Sequence, residues 1–178
     1  MTESRRISRS DLGFTMKHVF APWRIEYIKG KKPEGCIFCR DSGLDRTLLV
    51  HEGENAFILM NRYPYVSGHI MIAPYRHIRN IEDLHTRERL EMFELMDLAI
   101  RTLKSAYEPH GFNLGMNLGR AAGAGIDDHL HLHVVPRWNG DTNFMSVLGE
   151  VRVIPEDLVK TKVRLRKKLN KIRTGGRK

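Results

Sequence analysis

Three histidines, His129, His131 and His133, occupy alternate positions in an apolar run. Successive side chains of a β-strand point to opposite faces, so a strand here would put all three imidazoles on one side. A buried imidazole costs free energy unless it is hydrogen-bonded or ligated, and packing alone is therefore a poor explanation of the row. Histidines in this arrangement can bind a metal, transfer protons or attack phosphorus and carbonyl centres. A plain metal site or a satisfied core histidine is the competing interpretation.

A loop of small residues leads into the histidines. Between Asn117 and Asp128 the sequence reads NLGRAAGAGIDD. Glycines and alanines let a backbone approach a ligand closely, and inward-pointing amides can cradle phosphate oxygens. Most glycine-rich loops are ordinary turns, but this one runs directly into the histidine row and favours anion binding.

Cys36 and Cys39 have the spacing with which a chain can bring two thiolates to one ion. A redox dithiol is the alternative, but it is expected in a thioredoxin-like βαβ context that this sequence does not show. Tetrahedral zinc would need two further ligands.

The elements that must position these groups are five strands and one long helix. Apolar and β-branched runs bounded by turns predict strands at residues 48–51, 56–60, 69–74, 112–118 and 129–135. Strands, a helix and strands again predict an α+β domain with a mostly antiparallel sheet.

Apolar residues recur at spacings of three and four between Thr86 and Tyr107, which predicts an amphipathic helix. Thr86 is the expected N-cap, and Gly111 is a stop signal shortly beyond the end. The stripe, assigned to the core, consists of Leu90, Phe93, Met96, Ile100 and Leu103.

The net charge of +9 is concentrated in one segment. From Lys160 to Lys178 there are ten basic residues and no acid, so the rest of the chain has a net charge of −1. A solvated terminal helix or a frayed end is the favoured interpretation. Salt-dependent binding of nucleic acid by this basic tail is possible and is the less favoured alternative.

The 178 residues, of which 41% are hydrophobic, are enough for one domain with a sizeable core. We expect a domain over residues 31–145, an N-terminal extension over 1–30, and a C-terminal extension with the basic tail over 146–178. No apolar run approaches the roughly 20 residues of a membrane span, and the first residues lack an apolar signal core. Two cysteines do not make a secreted disulfide scaffold. The sequence therefore predicts a cytoplasmic protein with no membrane partner.

The histidine run resembles the motif of the histidine triad (HIT) family, which is histidine, apolar, histidine, apolar, histidine and two apolar residues. The segment from Phe57 to Pro74 is similar to the family's upstream strand, asparagine and glycine-histidine turn. The similarity is continuous from about Cys36 to Arg137. It implies an HIT-like fold, with a sheet of about five strands, one long helix and a shorter one. It also implies a homodimer or a larger homo-oligomer.

In cysteine-bearing members of the family, the positions of His77 and His129 supply the two ligands that complete the cysteine pair. The resemblance therefore implies one structural zinc held by Cys36, Cys39, His77 and His129. A closed site of this kind can contribute on the order of 10 kcal/mol to folding. His129 would then position its strand and would not transfer protons.

The same resemblance implies that His131 is a nucleophile that attacks phosphorus and forms a nucleotidyl-histidine. His133 would hydrogen-bond phosphate or leaving-group oxygens, where charge develops. Asn61 is expected near the ribose, and Trp138 is expected to stack on a base, to close the pocket or to be core. The implied nucleotide and phosphate contacts are Asn61, Asn117, Gly123, Ala124, Gly125, His133 and Trp138.

The loop before the triad departs from the commonest family pattern. Many hydrolytic members carry a glutamine four residues before the first histidine, whereas this chain has Ala124 and Gly125 in a loop that is one residue longer. This variant resembles bacterial diadenosine tetraphosphate phosphorylases of the mycobacterial type, and implies phosphate as the second nucleophile. Hydrolysis of the same dinucleotide or of purine nucleoside phosphoramidates, and a zinc-stabilised nucleotide- or RNA-binding module, are the alternatives.

Overall fold

The computed structural model describes residues 35–39, 44–122, 129–141 and 157–175. Its centre is a five-stranded sheet in which every neighbouring pair is antiparallel, in the order β1-β2-β3-β5-β4. The α+β class is therefore confirmed. The strands are β1 (Leu49–Glu52), β2 (Ala56–Met60), β3 (Ile70–Pro74), β4 (Gly111–Gly115) and β5 (Leu132–Arg137).

The two central strands, β2 and β3, are buried along their whole length. Their turn contains Gly68 at φ +81°, a conformation that residues with a side chain rarely adopt. A Cβ at Gly68 would also lie 3.0 Å from Leu103 and 3.2 Å from the ring of Tyr107. Glycine therefore lets the turn lie directly against the long helix, and the next residue, His69, is buried.

The long helix α1 (Thr86–Tyr107) has the predicted bounds. Its N-cap is His85 and not Thr86, because the Glu88 carboxylate accepts the backbone N–H of His85 at 2.8 Å and closes a capping box. The helix ends before Glu108, whose φ of 48° is left-handed.

The predicted apolar stripe of α1 is partly wrong. Leu90 and Phe93 are 62% and 66% exposed, whereas Leu103 is fully buried. The face that meets the sheet includes small residues such as Ala99 and Thr102, which let the helix approach closely. The buried apolar side chains of α1 are Met92, Leu95, Leu98, Ala99 and Leu103.

A second helix, α2 (Leu158–Gly175), packs against α1 and β1. The expected terminal helix is present, and Thr161, Leu165 and Leu169 are buried on its inner side, so it is solvated on one side only. No helix in the described part of the chain combines the length and the apolar character needed to cross a bilayer. The predicted extension over residues 1–30 lies outside the described residues.

The sheet has two faces with different contents. The helix-covered face packs against α1 and α2 and carries Ile58, Ile70, Ile72 and Val134. The histidine face carries the intervening residues, among them Phe57, Leu59, Met71 and Ala73, which form a smaller cluster with Phe38. This period of two places His131 and His133 on the second face.

Candidate active site and metal centre

Two thiols and two imidazoles converge at one end of the histidine face. The ligand atoms of Cys36, Cys39, His77 and His129 all lie within 4.8 Å of one another. The Cys36 sulfur is 3.2 Å from Nδ1 of His129, and the Cys39 sulfur is 3.3 Å from Nδ1 of His77 and 3.7 Å from Nδ1 of His129. Tetrahedral zinc, with Zn–S near 2.3 Å and Zn–N near 2.0 Å, requires sulfur and nitrogen about 3.5 Å apart. The donor set therefore fits zinc in chemistry and in spacing.

Backbone contacts orient these ligands. Nε2–H of His129 donates to the Pro74 carbonyl at 2.9 Å, which leaves Nδ1 facing the thiols. Burial lowers the pKa of His129 to about 4, so the imidazole is neutral and its Nδ1 lone pair is available. The N–H of Leu130 donates to the Ile78 carbonyl at 2.6 Å and joins the two segments that carry His77 and His129.

An ion pair fixes the loop before His77 to the start of α1. The Arg76 guanidinium donates to both carboxylate oxygens of Glu88, at 2.8 and 2.7 Å. These bonds hold the pKa of Glu88 below its usual value, although burial opposes the shift. Since Glu88 also closes the capping box of α1, the helix and the loop before His77 share one anchoring carboxylate.

His131 lies next to this group and is 6% exposed. Its Nδ1–H donates to the backbone carbonyl of His129 at 2.8 Å, so the proton of the neutral ring is on Nδ1. Nε2 then has a free lone pair, which is the form required of a nucleophile. Burial lowers the pKa of His131 and keeps the ring neutral.

His133 is the last member of a hydrogen-bonded chain that begins at the backbone N–H of Tyr65 and passes through His69. Nδ1 of His69 accepts the N–H of Tyr65 at 3.1 Å, so Nε2–H of His69 donates to Nδ1 of His133 at 2.9 Å. The proton of neutral His133 is therefore on Nε2, ready to donate to an anionic oxygen. Burial is the main cause that lowers the pKa of His69 to about 3 and the pKa of His133 to about 4. Repulsion from neighbouring histidines adds to both shifts.

His69 had no role predicted from the sequence, because a single histidine before an apolar strand is usually an ordinary core residue. The pairing of Met71 with His133 brings His69 beside the triad, because both side chains lie on the histidine face. The glycine-histidine turn at Gly68 and His69 was the sequence feature that could have identified His69 as a site residue.

Of the other predicted contacts, Asn61 lies beside this centre. The Asn61 amide nitrogen is 3.5 Å from both ring nitrogens of His69. Asn117, half-buried, follows Gly115, which pairs with His133. Trp138 is half-buried and donates its indole N–H to the Tyr107 carbonyl at 3.3 Å. The predicted loop contacts Gly123, Ala124 and Gly125 lie outside the described residues.

Known proteins are similar to this chain in sequence and in fold. Residues 45–140 match the model of the HIT domain. The AP-4-A phosphorylase of Mycobacterium tuberculosis strain H37Rv is 45% identical over 115 residues, which are 65% of this chain and 59% of that protein. The bis(5'-adenosyl)-triphosphatase of Saccharomyces cerevisiae strain YJM789 is 32% identical over 89 residues, which are 49% of this chain and 43% of that protein. The match thus spans less than two thirds of either curated relative.

A solved structure gives the same result for the fold. The Zn-bound histidine triad family protein from Mycobacterium smegmatis superposes with a TM-score of 0.65 and 25% identity, over 81% of this chain and 99% of that chain. The family model alone covers more than half of the 178 residues. This chain belongs to the histidine triad (HIT) family.

Proposed function

We propose that this protein is a diadenosine tetraphosphate phosphorylase, which converts the dinucleotide and inorganic phosphate to ATP and ADP. The observation that carries the proposal is the hydrogen bond from Nδ1–H of His131 to the His129 carbonyl, which leaves Nε2 unprotonated. The likeness to the mycobacterial AP-4-A phosphorylase supports the substrate class. The loss of the glutamine found in hydrolytic members, with Ala124 and Gly125 in that loop, supports phosphate as the acceptor.

The reaction has two steps. Nε2 of His131 attacks the α-phosphorus of one adenosine, the bond to the bridging oxygen breaks, and ATP leaves while the adenylyl group stays on His131. A phosphate oxygen then attacks the same phosphorus, ADP forms and Nε2 recovers its lone pair. Nε2–H of His133 donates to the oxygen on which charge develops in each step. Asn61 and Trp138 are proposed to contact the nucleoside, and Asn117, with the amides at Gly123, Ala124 and Gly125, the phosphates.

The products of one incubation test the proposal. Diadenosine tetraphosphate is supplied with and without inorganic phosphate, and the nucleotides are separated by chromatography. ATP plus ADP, formed only with phosphate, is the expected result. ATP plus AMP without phosphate would contradict phosphorolysis and make the protein a hydrolase, as the name of the yeast relative would suggest. Turnover of an adenosine phosphoramidate alone would point to the phosphoramidase alternative.

The proposed intermediate has a separate test. Substrate labelled at the α-phosphorus should leave acid-labile label on the wild-type protein and none on a His131→Ala variant. His51→Gln is the matched control, because His51 lies on β1 at the far edge of the sheet from β5. Equal labelling of wild type and His131→Ala would show that another group is the nucleophile.

We further propose that Cys36, Cys39, His77 and His129 hold one structural zinc. Bound there, zinc would join the Cys36–Cys39 turn to the segments that carry His77 and His129, and would not act on the substrate. The spacing of the donor atoms supports this assignment. Zinc near one equivalent in protein purified without added metal is expected, and zinc near zero would contradict the site.

The edge strand β4 supports an assembly of two or more copies. In the described part of the chain β4 pairs only with β5. Leu114 on β4 and Leu118 after its end are 45% and 48% exposed. We propose a homodimer or a larger homo-oligomer. Light scattering should give at least twice the chain mass of 20.6 kDa, and a monomer at all concentrations would contradict it.

The exposed side of α2 supports a second candidate function, nucleic-acid binding. Lys160, Lys167 and Lys171 line a shallow groove with Arg164, and none of the ion pairs among the described residues uses these lysines. The exposed side chains of Val159 and Val163 line the same groove, whereas Leu165 and Leu169 face the core. The surface therefore combines cations that can contact phosphates with two apolar side chains.

The salt dependence of RNA binding tests this second function. Replacing the three lysines with Gln should reduce the slope of log affinity against log salt by about 2, since each phosphate contact on a single strand contributes about 0.7. The control replaces Arg87 and Lys104, exposed cations of α1, with Gln. Equal slopes for wild type and the α2 variant would exclude the nucleic-acid function.

A further inference from the structure

Phe38 lies between the two zinc-binding cysteines and is completely buried. Its backbone forms the turn in which the Cys39 N–H donates to the Cys36 carbonyl at 3.1 Å. Its side chain enters the small cluster on the histidine face, together with Phe57 and Met71. The loop that supplies two metal ligands therefore also inserts an aromatic ring under the sheet.

That ring contacts two histidines. The centroid of Phe38 is 4.8 Å from that of His131, with 31° between the planes, and 5.2 Å from that of His129. On another side of His131, the His133 ring is 4.8 Å away and nearly perpendicular, at 75°. The imidazole of His131 thus lies between a flat aromatic wall and the edge of a second imidazole.

One hydrogen bond alone leaves an imidazole free to rock about its Cβ–Cγ bond. The bond from Nδ1–H of His131 to the His129 carbonyl fixes one edge of the ring, and the direction of Nε2 then depends on the tilt of the ring plane. The ring of Phe38, which lies against the imidazole at 31°, limits that tilt. A leucine or alanine at the same position has no flat face and would leave room for rotation.

We propose that Phe38 is a positioning residue for His131, so that the Cys36–Cys39 loop acts on the nucleophile through a ring contact. The proposal rests on the proposed function, because it takes His131 as the group that attacks phosphorus. An error of about 1 Å in the position of a reacting group can cost roughly 100-fold in rate. We therefore expect kcat to fall by about 10- to 100-fold in Phe38→Leu, with KM nearly unchanged.

Phe57 offers a matched control. It is also fully buried, belongs to the same cluster, and stacks on Tyr75 with centroids 5.1 Å apart. Phe57→Leu removes the same number of atoms from the same cluster without changing the wall beside His131. A loss of stability that is general to the cluster should affect the two variants alike.

The experiment compares wild type, Phe38→Leu and Phe57→Leu by kcat, KM and zinc content, with Phe38→Ala as a stronger form of the change. Nitrogen NMR of the resting protein reports independently on the imidazole of His131. Wild type and Phe57→Leu should show the Nδ1–H tautomer alone. In Phe38→Leu the imidazole can tilt and weaken its bond to the His129 carbonyl, so a mixture of tautomers should appear. Zinc content should stay at the wild-type value, and the loss should be confined to kcat.

Three results would overturn the proposal: equal kcat in Phe38→Leu and Phe57→Leu, an unchanged His131 tautomer in Phe38→Leu, or loss of zinc from Phe38→Leu alone. The last would give Phe38 a role in the metal loop only. If wild type turned over no dinucleotide, the proposed function would fail, while the NMR comparison would still decide whether Phe38 orients His131.

Discussion

The two faces of the sheet use alternate residues of the same strands for different purposes. On β3, Ile72 contributes to the core under α1 and α2, whereas its neighbour Met71 lies beside His133. On β5, Val134 lies on the helix-covered face and His133 on the histidine face. Burial on the helix-covered face is almost entirely apolar, whereas the histidine face buries polar rings that need partners.

The difference lies in how buried polar groups are satisfied. The imidazoles of His129 and His131 donate to backbone carbonyls, and that of His69 donates to His133. Each of these bonds also selects the ring nitrogen that has a lone pair to offer. The histidine face is therefore ordered by directional bonds, and the helix-covered face by area removed from water.

The largest effect should come from removing a metal ligand. Cys39→Ala is expected to lose the metal and to lower the free energy of unfolding by several kcal/mol, on the order of 5–10. Zinc content and thermal unfolding measure the change. Wild-type protein treated with a chelator should reproduce it, and a variant without metal but with wild-type stability would contradict the role of the site.

A change on the helix-covered face should affect stability alone. Leu165→Ala empties a fully buried position on α2 and is expected to cost about 2–5 kcal/mol in urea unfolding. The folded fraction of the variant should keep the wild-type kcat. Val163→Ala, at a 63% exposed position of the same helix, should stay within about 0.5 kcal/mol. A large fall in kcat for Leu165→Ala would show that the two faces are not independent.

Breaking the hydrogen bond from His69 to His133 should affect activity more than stability. His69→Leu leaves Nδ1 of His133 without its donor, so the tautomer is no longer fixed, and kcat is expected to fall by about 10- to 100-fold. His69→Gln, which keeps an N–H donor, should recover part of the loss. Equal rates in the Leu and Gln variants would mean that the hydrogen bond does not matter for turnover.

The buried histidines should also make the stability of the fold depend on pH. The folded pKa values of about 3 for His69 and about 4 for His133 lie below the ordinary 6.5. Between those values the unfolded chain binds more protons, so the free energy of unfolding falls as pH is lowered from about 6.5 towards 4. Each histidine should contribute about 1.4 kcal/mol per pH unit at most. His69→Leu should show a shallower decline, and an identical pH profile would contradict the assignment.

Much of this arrangement could be predicted from local patterns. The alternation of residues 129–133 predicts that the three histidines share one face of a strand, and the bounds of α1 follow from the apolar period of its sequence. The buried side of α1 could not be read in the same way, because Leu90 and Phe93 compete with the true contact stripe at the same spacing. His69 needed the register between β3 and β5, which no local pattern contains.

Helix α2 follows all five strands in chain order, and this has a consequence for biosynthesis. The four proposed zinc ligands and the histidines have all been synthesised before residue 138, whereas Leu165 and Leu169 come later. At roughly 5–20 residues per second, a ribosome needs about 2–8 s to pass from the end of β5 to the end of α2. During that interval the nascent chain can bring the four proposed zinc ligands together while part of α1 is uncovered. Chaperones that bind this intermediate should therefore contact its helix-covered face and not its histidine face.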